Sequence, residues 1–60
     1  MYTVPETREE RQYDLLEQTK NYHECLEKFQ SETDPLEKDR LKIKLDLYRS
    51  RVDLLNSYLV

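Results

Sequence analysis

Ser31-Glu32-Thr33-Asp34-Pro35 is the one break in a helical pattern that otherwise runs along the chain. Proline has no backbone N–H and clashes with the preceding turn inside a helix, yet its fixed φ suits a first helical turn. Asp34 ahead of it is a good N-cap, and Glu37, three residues on, stands at capping-box spacing. A second helix is therefore expected over about residues 35–59, after a turn at about 32–34. Upstream, Thr3-Val4-Pro5-Glu6 carries the same kind of start signal, which puts the first helix at about 4–31. The chain contains no glycine, so nothing else interrupts either segment.

Each segment has a narrow seam. Leu15, Thr19, Tyr22, Leu26 and Phe29 follow steps of 4, 3, 4 and 3 in the first helix. Leu41, Leu45, Tyr48, Val52, Leu55 and Leu59 follow steps of 4, 3, 4, 3 and 4 in the second. Such heptad steps describe one helical stripe packed against another, and a short connection makes the two helices antiparallel neighbours. Folding at Pro35 sets Phe29 against Leu41, Leu26 against Leu45, Tyr22 against Tyr48, Thr19 against Val52 and Leu15 against Leu55. Charge agrees: residues 1–37 hold ten acids and four bases, residues 38–60 three acids and six bases. Each exposed pair contributes little, but the sum favours this packing over a like-charged one.

The second helix has more apolar residues than that seam uses. Leu36, Ile43, Leu47 and Leu54, spaced 7, 4 and 7, form another stripe with Tyr58 at its edge. At 100° per residue it lies roughly 140° from the seam. Leucines scattered over a surface need no explanation, but a whole Ile/Leu row usually marks an interface. Two-fold self-association through this row would give a four-helix bundle, and the competing occupant is a foreign groove that receives the helix.

The motifs that bear on chemistry are sparse. His23 and Glu27 stand four apart with Cys25 between them, but a zinc site needs three or four ligands, and Cys25 points away from His23. The same divergence argues against a Cys–His nucleophile; Cys25 reads as a small, partly buried apolar residue. Without glycine there is no phosphate loop, and two helices without a cleft offer no Ser/His/Asp arrangement. A non-enzymatic protein with no cofactor or metal is expected. The acids of the first helix make an outer face, and Glu10, Tyr13, Asp14, Glu17 and Glu24 are the candidate contacts for a basic partner. On the second helix, Lys38, Lys42 and Arg49 offer phosphates a basic face that Asp46 and Asp53 partly cancel. Arg40, Lys44 and Arg51 lie between the two apolar stripes, where their stems can cover both.

In size, hairpin form and apolar second helix the chain resembles small two-helix phosphatases of sporulation response regulators. Their Ser-Gln-Glu-Leu-Asp motif has Ser50-Arg51-Val52-Asp53 as its nearest match here, one residue shorter and without both polar residues between. The resemblance thus stops where their chemistry sits. Size and composition also resemble small bacteriophage and bacterial regulatory products.

Composition bounds the rest. Sixty residues make one domain, 1–60, with too small a core to stabilise much alone. A single cysteine fits a reducing compartment, no apolar run reaches a membrane span, and no secretory signal opens the chain. A net charge of −3 argues against a general nucleic-acid binder. The expected fold is an all-α antiparallel two-helix hairpin of coiled-coil type, dimerising into a four-helix bundle. The expected function is a cytoplasmic protein-binding module, a regulator or inhibitor of a larger protein, in the host cytoplasm if the source is viral. Its expected partners are a second copy and another protein, with no membrane, nucleic acid or small-molecule substrate. The alternatives are a nucleic-acid-associated factor using the basic face of the second helix, and a structural coiled-coil assembly unit.

Overall fold

In the computed structural model, which describes residues 2–59, two helices pack against each other: α1 (Arg8–Ser31) and α2 (Pro35–Leu59). Among the described residues there is no strand. The molecule measures 40 × 19 × 16 Å. A continuous rod of nearly sixty helical residues would be about 90 Å long at 1.5 Å per residue, so the chain is folded in two at the hinge.

The hinge is built from side chains that satisfy helix ends. The Ser31 hydroxyl donates to Glu27 O at 3.1 Å, and the Glu32 N–H caps Lys28 O at 3.0 Å. The Glu32 carboxylate then accepts from the backbone N–H groups of Thr33 and Asp34, both at 3.0 Å. Asp34 Oδ1 accepts from the Leu36 N–H at 3.0 Å, and its carbonyl accepts the first helical bond from Lys38 at 2.9 Å. Asp34 is thus the N-cap of α2. Glu37 turns instead to Arg40, with an ion pair of 3.0 Å. Replacing Asp34 by Ala leaves the Leu36 N–H to water and removes a charge from a helix N-terminus. The expected loss is about 0.5–2 kcal/mol of stability, measured by chemical denaturation.

The first helix starts later than the Thr3 signal implies. Thr7-Arg8-Glu9-Glu10 repeats the same capping spacing, and Thr7 is the cap: its Oγ1 accepts from the Glu10 N–H at 3.2 Å. Residues 2–5 instead run back along the hairpin. The Arg11 Nε–H donates to Pro5 O at 2.7 Å, the Tyr2 hydroxyl donates to the Asp14 carboxylate, and the Arg51 guanidinium lies 4.8 Å from the Tyr2 ring centre. These contacts hold the segment out of the helix, and no local signal encodes them.

Between the helices Leu55 is fully buried and Leu45 nearly so; Leu41, Tyr48, Val52 and Leu59 are half-buried around them. The facing line of α1 runs through Leu15, Gln18, Tyr22, Cys25 and Phe29, with Gln18 and Cys25 its most buried members. Thr19 and Leu26, expected at the centre of the seam, are half-buried at its shoulder. The two lines share Leu15, Tyr22 and Phe29, so spacing alone does not choose between them. Packing chooses the one with the smaller Cys25, which lets α2 approach until the thiol reaches Leu41 O at 3.4 Å. Thr19 turns its hydroxyl to Leu15 O on its own helix, at 2.7 Å. The register near the hinge is correspondingly tight: Phe29 lies under Lys38, whose Nζ is 5.1 Å from the ring centre, one turn nearer the hinge than Leu41. Farther out, Thr19, Tyr22 and Val52 line one groove, and Arg11 stacks on Tyr58 at 4.8 Å.

Candidate interaction surface

An α-helix of 25 residues presents its side chains all round, and α1 covers only one stripe of α2. The other stripe stays in solvent. Leu36 is 61% exposed, Ile43 69%, Leu47 46%, Leu54 42% and Tyr58 52%. No described residue of α1 or of the N-terminal segment closes over the row; Arg11 covers one face of the Tyr58 ring, which sets Tyr58 at its border.

On α1 the acidic face divides. Glu10, Glu17 and Glu24 are exposed, and Tyr13 stands among them at 69% exposure. Asp14 is half-buried and engaged within the chain: one oxygen accepts from Tyr2, the other from Gln18 Nε2 at 3.2 Å. The other large exposed apolar side chain of α1, Leu16, is 71% exposed and has no apolar row around it.

Tyr2, Gln18 and Arg51 were not among the residues that sequence reasoning singled out for this end of the hairpin as a group. With Asp14 and Tyr48 they form a polar cluster at the edge of the helix–helix seam. The Arg51 guanidinium lies 4.8 Å from the Tyr2 ring and 5.9 Å from the Tyr48 ring, each within cation–π range. Gln18 Oε1 and Arg51 Nε are buried without a hydrogen-bond partner among the described residues. The one signal that pointed this way was Arg51 itself, a long stem between two apolar stripes. Packing against the hairpin, and then the hydrogen bond to Asp14 and its negative charge, push the Tyr2 hydroxyl up to about 12, while Arg51 pulls it back. A folded-state value above the ordinary 10 means the folded chain favours the neutral phenol, so its contribution to stability is fully present below about pH 10 and is lost as pH rises through 12. Tyr2→Phe should therefore remove a phenolate step near pH 12 from the ultraviolet titration and lessen this alkaline loss of stability.

The remaining features bear on chemistry. Cys25 is buried and faces Leu41, whereas His23 is exposed and meets Tyr22 edge-on with ring centres 5.7 Å apart, so the two diverge. Among the described residues no three His, Cys, Asp or Glu side chains gather as metal ligands. The groove beside Cys25, lined by Asn21, Glu24, Lys28 and Lys44, holds about 110 Å³, and two wider, open grooves, one beside Tyr2, Pro5 and Tyr13 and one beside Tyr22, His23 and Arg49, hold about 570 and 470 Å³. No helix among the described residues is long and apolar enough to cross a membrane. No family model matches the chain, and no curated protein and no solved structure is similar to it.

Proposed function

We propose that this chain is a non-enzymatic protein-binding module that self-associates through α2 into a four-helix bundle and regulates or inhibits a larger protein. The observation that carries the reading is the row Leu36, Ile43, Leu47, Leu54 and Tyr58, which runs the length of α2 in solvent. Contiguous apolar surface of this kind marks an interface, and a small hairpin gains from sharing it with another chain. A two-fold contact is the commonest way for a protein to cover a patch with itself. Covering the row this way leaves the acidic face around Glu10, Tyr13, Glu17 and Glu24 free to meet a basic protein.

The test compares three chains as bait in extracts of the native cell: the wild type, Leu47→Glu with Leu54→Glu, and Glu10→Lys with Glu17→Lys. A protein captured by the first two and lost with the third supports the division between a self-association row and an acidic contact face. Capture lost only with the leucine variant would make the row the partner site. Nucleic acid bound in place of protein, with affinity falling steeply in salt, would favour the basic face of α2.

A further inference from the structure

We propose that the occupant of the row is a second copy whose α2 lies parallel to the first and in register, oriented by Asp39 of each chain against Lys44 of the other. This rests on the self-association reading and goes beyond it by fixing direction and register. The row falls on two heptad lines: Leu36, Ile43, Ser50 and Ser57 on one, Arg40, Leu47 and Leu54 on the other. The position bordering it on one side is Asp at every turn of the repeat: Asp39, Asp46 and Asp53. The other border reads Glu37, Lys44, Arg51 and Tyr58.

Borders of opposite sign specify direction. In a parallel pair of helices, a residue on the first border meets the residue five positions later on the second border of its neighbour, and charges there set orientation. Asp39 then meets Lys44 of the copy, Asp46 meets Arg51, and Asp53 meets the Tyr58 hydroxyl. In an antiparallel pair, like borders meet, which sets aspartate against aspartate and Lys44 and Arg51 against their own kind. The structure leaves the aspartates and Lys44 open to such a neighbour, whereas Arg51 lies half-buried against the Tyr2 and Tyr48 rings of its own chain. Asp39, Asp46 and Asp53 are exposed, and among the described residues none of them has a hydrogen-bond or ion-pair partner in its own chain. Lys44 is exposed too, and among the described residues no carboxylate pairs with it or with Arg51. Arg40, the one charge on the row itself, already carries its counter-ion, Glu37, at 3.0 Å. Parallel packing also covers all of Leu36, Ile43, Leu47 and Leu54, each by its own copy.

Disulfide trapping reads the direction. Leu36→Cys and Ser57→Cys, each in a Cys25→Ala background checked for helicity, place a thiol near either end of the row, roughly 30 Å apart along α2. In a glutathione buffer each variant should link to its own kind, and an equal mixture should give no cross-linked pair of the two. Efficient cross-linking between the two variants would overturn the parallel arrangement. A second measurement leaves Cys25 in place. Asp39→Lys and Lys44→Asp should each weaken dimerisation about tenfold, and the two together should restore it. No loss on either single change would also overturn the proposal. A wild-type chain that stays monomeric would overturn the self-association reading itself, an outcome distinct from a dimer of the other orientation.

Discussion

Leu55→Ala will destabilise the hairpin by about 2–5 kcal/mol, and Leu45→Ala by a similar amount, whereas Lys42→Ala will cost within about 0.5 kcal/mol. Leu55 is fully buried and Leu45 is 8% exposed. They are the two most enclosed residues of α2 and hold α1 from opposite halves of its length. Truncating either removes a side chain whose burial contributes about 1.5–3 kcal/mol and leaves a gap that neighbours on only one other helix fill poorly. Lys42 faces solvent and touches nothing that the fold needs. For a chain this small, a loss of that size takes most of the available stability, so thermal unfolding should shift by tens of degrees or the helices should separate. Equal losses at positions 42, 45 and 55, read by circular dichroism, would contradict the packing.

Leu47→Glu with Leu54→Glu will abolish self-association and leave the hairpin intact. Both residues are more than two-fifths exposed within one chain, so within the hairpin the new carboxylates stay in water. In a two-fold contact the same changes bring four carboxylates onto an apolar seam, where each unpaired charge is strongly disfavoured. Leu16→Glu is the control: Leu16 is still more exposed, at 71%, but lies on α1 away from the row. It should change neither helicity nor mass. Light scattering checks mass and circular dichroism checks the fold. A Leu16 change as disruptive as the double change would mean that general stickiness, not the α2 row, holds the copies together.

The sequence shows the hinge plainly because its signal is local. Asp34 and Pro35 act on the backbone within one turn, and the seam of α2 is carried by leucines that have no polar alternative at their positions. Two features escaped for the same physical reason, namely that contacts distant in sequence decide them. Thr3 and Thr7 carry equal capping signals. The choice falls to Thr7 because Tyr2 reaches Asp14, twelve residues on, and Arg51 on the other helix. On α1, two interleaved lines share Leu15, Tyr22 and Phe29. Apolarity favours Leu26 and close approach favours Cys25; the structure follows the close approach. The exposed row was legible because periodicity gives the direction of each side chain, and one neighbouring helix can cover only one direction. The cluster around Tyr2 was not, because an extended segment has no period from which to read what it covers.

Sedimentation equilibrium of the unmodified chain tests the central claim most directly, since the claim is that a row of exposed apolar residues on α2 is covered by a second copy. The account predicts that mass rises with concentration from that of one chain, 7.4 kDa, to a plateau at twice that value, and that higher salt weakens the rise only modestly. A mass of 7.4 kDa that holds to millimolar concentration would contradict it.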